Sequence, residues 1–463
     1  MSPARQGRSA LQGRSGPVSS ALQGRSGPVS RRLPAPDVPV ERRTLANGLK
    51  VVLAPDRTAP SVAVLARYDV GFRSEPEGRT GFAHLFEHLM FEGSASLDKL
   101  RHAQLVQGNG GTFNGHTTPD ATVYFEQLPA SALELGLFLE ADRMRAVRLS
   151  EETMANQIAV VKEEIRVNVL NRPYGGFPWI RLPKVLYRSF NNAHDGYGSF
   201  TDLDSATIAD AASFFSRYYA PGNAVLVVAG DLDVDAAMAL VERHFGDIPR
   251  GRVPRRPSFA EPPPETERRA QVHDAAAPLP AVAIGYRVPD PVKGFDEYLA
   301  TLLAIDVLVD GSASRLARRL VQTDRLATHV GGYAGTFGDA FAQRDPVIAQ
   351  IIAYFTGDLD PLLAALDDEV GEVATAVEDD ELERVVVANV AAHLRRCDDL
   401  LSRAELLAAL EQVHGSTDLI TELPERLAAV TPAGVAAACG RWFATDQRAV
   451  LEVVAGARTP AAP

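Results

Sequence analysis

The sequence predicts an α+β protein built from two tandem homologous α/β-sandwich domains, each a mixed, mostly antiparallel sheet with helices packed on it. Three observations carry this. The chain has 463 residues, 46% of them apolar, which at about 150 residues per domain is enough for two or three cores. Two pairs of segments recur in the same order: PSVAVLAR at 60–67 parallels PAVAIGYR at 280–287, and TIADAASFFSRYYAPGNAVLVVAG from Thr207 parallels TPAGVAAACGRWFATDQRAVLEVVAG from Thr431. Agreement in order, spacing and period marks a duplicated unit. Short Val/Ile/Leu runs also mix with longer helical patterns without strict alternation, which favours α+β over a doubly wound sheet.

Residues 1–36 read as a disordered low-complexity tail. ALQGRSGPVS occurs at 10–19 and again at 21–30 in a Gly/Ser/Pro/Arg setting that buries too little apolar surface to offset its ordering entropy. The arginines and missing acids also fit a transit peptide, but the Gly and Pro spacing breaks an amphipathic helix. The first domain spans 37–250. Within it Val62–Val70 and Ala224–Ala229 read as strands, and Ser150–Leu170 as a helix with a Ser N-cap, acids in its first turn and an end before Pro173. Pro249–Glu267 holds six prolines and predicts a linker, placed at 251–268. The second domain spans 269–458, and 459–463 is a short tail.

Composition excludes several classes. The formal charge is −12, and the tail alone carries six arginines and no acid, leaving −18 (−12 − 6) on the body. Nucleic-acid backbones need a basic footprint, so no nucleic-acid partner is expected. An acidic body could attract basic peptides, although acidity is also a common route to solubility. No apolar run is long enough to span a bilayer, and the N-terminus lacks the apolar stretch of a secretory signal. Cys397 and Cys439 form no CxxC pair, so neither a disulfide framework nor a thiolate zinc knuckle is indicated. A reducing, cytoplasmic bacterial compartment fits.

The most informative stretch is GFAHLFEHLMFEGS at 81–94. In a helix His84 and His88 are one turn apart on one face, so both imidazoles reach a single ion, and Glu87 borders that face. A carboxylate beside a metal-activated water can take a proton and later pass it to the leaving amine, which peptide hydrolysis at neutral pH requires. Histidine pairs at this spacing also arise by chance, so context matters. The Ser150–Leu170 helix supplies it: VVKEEIR offers Glu164, and two imidazoles, one carboxylate and a water make an open tetrahedral zinc site of the hydrolytic type.

Here the sequence resembles the inverzincins, the family of pitrilysin, insulin-degrading enzyme and mitochondrial processing peptidase. HxxEH with a distant Glu, Phe91 after it, GTFNGHTTPDATVYFEQLP at 111–129, NQIAVVKEE at 156–164, RYYAPGNAVLVVAGD at 217–231 and DGSASRL at 310–316 carry the likeness. The resemblance implies one Zn2+ per chain held by His84, His88 and Glu164, with Glu87 as general base. Glu163, the neighbouring candidate, would point about 100° away around the helix. Gln157 stands where the family often has a second glutamate and could hydrogen-bond a ligand or water. Asn114, Gly115 and Thr117 correspond to an edge strand that holds substrate as an added strand. His116 lies in that strand and faces substrate or the other way. Phe91 either lines a pocket beside the cleaved bond or packs in the core. His194, His273 and His329 have no partner at ligand spacing and read as ordinary surface or satisfied residues.

The second copy lacks the metal motif: 298–311 reads YLATLLAIDVLVDG, and this domain is expected to be a scaffold. In complete members an Arg and a Tyr seven apart help hold substrate and stabilise the oxyanion. The matching positions here are Val321 and Thr328, and Arg325 would need a register shift. The resemblance therefore implies half a clamshell, acting as a heterodimer with a related subunit that lacks HxxEH and brings the Arg/Tyr pair, in preference to a homodimer. The expected function is zinc endopeptidase action on peptides or unstructured segments, with no membrane partner. The alternative is a non-catalytic structural or assembly subunit of the same fold, resembling the core proteins of the respiratory cytochrome complex. A third reading is peptide binding without cleavage.

Overall fold

The computed structural model describes residues 33–456, so nearly all of the tail expected at 1–36, and all of the one at 459–463, lies outside the described residues. The first sheet holds β1 (Glu41–Thr44), β2 (Lys50–Pro55), β3 (Ser61–Tyr68), β4 (Thr112–Thr117), β5 (Thr122–Pro129) and β6 (Ala224–Gly230), in the order β1-β2-β6-β3-β5-β4. The second holds β7 (Arg268–Asp274), β8 (Ala281–Arg287), β9 (Ala327–Ala334), β10 (Ile348–Phe355) and β11 (Ala449–Ala455), in the order β7-β11-β8-β10-β9. Without β1 the two orders coincide strand for strand. Each sheet has one parallel pair, β2 with β6 and β7 with β11, and is otherwise antiparallel. The recurring segments fall on β3 and β8, and on the helices Ile208–Tyr218 and Pro432–Trp442 with the strands that follow. Both helices start alike: Thr207 accepts from the Asp210 amide and Thr431 from the Gly434 amide.

The central strands are apolar on both faces, and β6 is buried throughout, because each sheet is covered twice. Its own helices cover one face, and the other domain covers the opposite one. Leu406, Leu407 and Leu410 on the Leu400–Val413 helix of the second domain pack on Val52, Leu65 and Val227 of the first sheet. In return Leu182 and Leu186 of the Leu182–Leu186 helix pack on Ala283 and Leu451 of the second. Residues 251–267 of the linker form no helix or strand, yet the linker is tied down: Glu261 accepts from Ser189 and Asn192, and the Arg73 guanidinium lies 4.2 Å from the centre of the Phe259 ring.

The helix read at Ser150–Leu170 is α-helical from Glu151 to Ile165 and ends in a π turn, Arg166–Leu170. Ser150 caps it with a reciprocal bond to Thr153. The wider turn occurs where the chain folds back so closely that a Cβ on Gly175 would lie 1.8 Å from the Val169 carbonyl oxygen.

Candidate metal centre

The site is built on the Phe82–Leu89 helix, whose apolar face (Phe82, Leu85, Phe86, Leu89) is buried in the first core. Its N-terminus is capped by a side chain from outside the helix: the buried Glu75 carboxylate accepts from the Gly81 amide at 2.9 Å and the Ala83 amide at 2.7 Å. An anion there satisfies orphan donors and suits the helix dipole. Glu75 also meets His194 Nε2 at 3.2 Å, while His194 Nδ1 lies 2.9 Å from the Phe190 carbonyl. Burial pushes the Glu75 carboxyl up; bonding to Glu75 outweighs burial at His194 and raises it. Gly81, at φ 85°, lets the segment carrying Tyr197 cross close by, since a Cβ there would lie 2.6 Å from the Tyr197 carbonyl oxygen.

His84, His88 and Glu164 converge. His84 Nε2 lies 3.3 Å from His88 Nε2 and 3.6 Å from Glu164 Oε2, and His88 Nε2 lies 3.5 Å from the same oxygen. Ligands about 2.0–2.2 Å from a tetrahedral zinc stand about 3.3–3.6 Å apart, so the three atoms form one face of such a site. Burial, then His88, lowers His84 to about 4, leaving the neutral imidazole that a metal requires. Glu164 is held below the usual carboxylate range, first by its bond to His88, and its Oε1 accepts from the Tyr197 hydroxyl at 3.1 Å. Tyr197, pushed up to about 12 chiefly by burial, keeps its proton to donate. Glu87 Oε2 accepts from Thr117 Oγ1 at 2.8 Å, and burial raises its carboxyl.

The other predicted residues are placed as follows. Glu163 points away and pairs with Arg166. Gln157 does not reach the ligands: its Nε2 donates to Glu92 Oε1 at 2.8 Å. Seven residues along a helix span about 10.5 Å, which carries Gln157 past the ligands to the chain just beyond the histidine helix, so the expected contact with a ligand is replaced by a tie between the two segments. Asn114, Gly115 and Thr117 lie on β4, the sheet edge, which among the described residues pairs only with β5. Asn114 Oδ1 accepts from the Gly115 amide, and a Cβ on Gly115 would lie 3.3 Å from Glu87 Cγ. His116 Nδ1 stands 3.8 Å from Glu405 of the second domain. Phe91 packs among Phe113, His102 and Tyr124, 4.8 Å below the Arg143 guanidinium. Val321 packs against the second core, and Thr328 donates to the Tyr354 carbonyl. Sequence reasoning missed Glu75 and Tyr197; neither stands at a diagnostic spacing from the histidines.

Comparison with known proteins adds an independent line. The profile described as Insulinase (Peptidase family M16) matches residues 50–173, which hold all three converging ligands, and the one described as Peptidase M16 inactive domain matches 205–388. The chain belongs to peptidase family M16. The M16 chain is 32% identical over 296 residues to the zinc protease PqqE of Helicobacter pylori, covering 62% of this chain and 64% of that relative, less than two thirds of its length. The crystal structure of a protease from Helicobacter pylori superposes with TM-score 0.82 at 25% identity, across 90% of the M16 chain and 99% of that protein. The periplasmic protease PqqL from Escherichia coli shares the fold, with TM-score 0.71 at 18% identity, across 91% of this chain and 48% of that one. No helix of the described residues is long and apolar enough to cross a membrane.

Proposed function

We infer that the protein is a zinc-dependent endopeptidase that cleaves peptides or unstructured protein segments, removing leaders or clearing fragments. The observation that carries this is the meeting of His84, His88 and Glu164 beside a half-buried carboxylate, Glu87, fixed by Thr117. When bound, zinc supplies a Lewis acid for the scissile carbonyl and acidifies water. Glu87 takes the proton of the attacking water and returns it to the leaving amine, and burial suits its carboxyl to both directions. The free edge of β4 offers main-chain partners to an extended peptide, leading it past Glu87.

A related subunit completes the site in this reading. Val321 packs against the second core and the exposed Thr328 donates to the neighbouring strand, and a second copy of this chain would bring the same two residues, which favours a heterodimer with a subunit bearing the Arg/Tyr pair. One absent oxyanion donor costs about 100- to 1000-fold, so the homogeneous chain is expected to be nearly inactive on a flexible peptide until that subunit is added. Two free buried cysteines suit a reducing compartment, and fractionation of the native cells decides between cytoplasm and the periplasm of PqqL.

Metal analysis is the direct test. About one zinc per chain is expected, lost in H84A and in E164A, with peptide cleavage abolished in E87Q while zinc stays. A folded, metal-free chain would instead support the scaffold reading.

A further inference from the structure

The second domain carries a cavity of its own at the place where the first holds its metal ligands. GSAS follows the histidine helix at 93–96 and recurs at 311–314, behind the Phe295–Val309 helix. At that offset of 218, His84, Glu87 and His88 correspond to Leu302, Ile305 and Asp306. The helices that follow Ser150 and Glu378 both open with a capping box, and Glu164, 14 residues beyond the first cap, corresponds to Ala392, 14 beyond the second. β9 is the edge of its sheet as β4 is of the other.

Leu302, Ile305, Asp306 and Ala392 line one cavity of about 240 Å³. Phe341, Leu423 and Leu427 complete an apolar wall. The basic side chains that reach it are engaged elsewhere: Arg396 donates to Asp339 at 2.7 and 3.3 Å, and His393 Nε2 lies 2.7 Å from the Ile420 carbonyl. Asp306 is only half served. Its Oδ2 accepts from Asn389 Nδ2 at 2.7 Å, and among the described residues nothing donates to Oδ1. Burial raises the carboxyl to about 7, and the charges that act on it, Asp310 and Arg384, oppose one another. At pH 8 the cavity therefore presents a carboxylate with no ion-pair partner among the described residues, in apolar surroundings where a cation is held most strongly. Leu302, Ile305 and Ala392 offer no ligand atom, so the cavity keeps the place of the metal site without its chemistry.

We propose that this emptied counterpart of the metal site binds a small apolar primary amine, its ammonium on Asp306 Oδ1 and its body against Leu302, Ile305 and Leu427. A dry cavity of about 150 Å³ accommodates benzene, so the volume admits a phenyl ring with a short arm. An alcohol of the same shape lacks the charge, and a carboxylate is repelled by Asp306. The site does not depend on whether the first domain cleaves peptides. Its occupant lies against the loop between β9 and β10: Gly338 and Phe341 face this cavity, while Asp339 lines the one at His116 and Thr117.

Isothermal titration calorimetry of the zinc-loaded chain at pH 8 with 2-phenylethylamine, 2-phenylethanol and phenylacetate tests this. The amine is expected to bind about 10- to 100-fold more tightly than the alcohol, the worth of a charge-assisted hydrogen bond, and phenylacetate not measurably. D306N, which keeps the shape and removes the charge, is expected to bring amine and alcohol within about threefold of each other. Ala392 is exposed where it lines the cavity, so A392F should block both. An amine can also ligate zinc, so H84A is titrated in parallel and should bind the amine as the wild type does. Equal affinity for amine and alcohol, an undiminished preference in D306N, or binding that persists in A392F overturns the site. Loss of amine binding in H84A places the amine at the metal and overturns it as well.

Discussion

Arg143 shows how much of the site's rigidity is hidden one layer below the ligands. Only 1% exposed, it donates to Glu126 at 2.8 Å and Glu140 at 2.5 Å and lies over the rings of Phe91 and Tyr124. Both carboxyls are buried, and burial pushes both up against the pull of Arg143. Removing one member of a buried charge group leaves the others uncompensated, so R143M is expected to lose about 3–5 kcal/mol of stability in urea unfolding at neutral pH. Asp306 gives a pH signature in the other domain. Burial raises its carboxyl to about 7 despite the bond from Asn389 Nδ2 at 2.7 Å. The folded chain then keeps a proton that the unfolded chain releases near its ordinary value of 3.8. Stability from this group therefore falls as pH rises from about 4 to 7 and is flat above. D306N should melt higher than wild type at pH 8 and lose that slope; equal melting temperatures at pH 8 would count against it.

Elements differ in how plainly the sequence announces them. β3, β6, β8 and β11 are legible because a strand buried on both faces must be a nearly unbroken apolar run, and the duplication makes each pair vouch for the other. The Ser150 cap is legible because its partner is three residues away. The same holds for His84, Glu87 and His88, whose spacing is that of one helical turn. Glu164 needed the helix phase and the family likeness together. Glu75 and Tyr197 are illegible because they reach the site through crossings set by the tertiary fold, and Gln157 was misplaced because a neighbouring segment claims its amide. Glu75 carries the prediction at this scale. It satisfies two amides at the start of the histidine helix and pairs with His194, so E75A is expected to cost about 1–2 kcal/mol or more. Zinc affinity should fall with it in a chelator competition, because the helix that spaces the two histidines frays from that end.

The whole molecule is held together by an exchange of helices, and this sets how it unfolds. Each sheet needs a cover from the other domain: Leu406, Leu407 and Leu410 close the first, Leu182 and Leu186 the second. Neither sheet can lose its partner without exposing a face of Val, Leu and Ala that is fully buried in the native chain, at about 25 cal/mol for every Å² returned to water. Two domains with a proline-rich linker would ordinarily melt apart; here they are expected to melt together. The tryptophans read two different places, since Trp442 packs against the second core while Trp179, in the first domain, lies 6.1 Å from the Phe337 ring of the second, at the seam. W179F and W442F variants should therefore give coincident urea transitions by fluorescence. L407A, at a position 0% exposed, should lower both midpoints together by about 2–5 kcal/mol. Transitions that separate, or an L407A effect confined to one reporter, would show that the covers are dispensable and the domains independent. Coincidence would mean that the metal centre, whose β4 edge meets Glu405 of the second domain through His116, is only as stable as the seam itself.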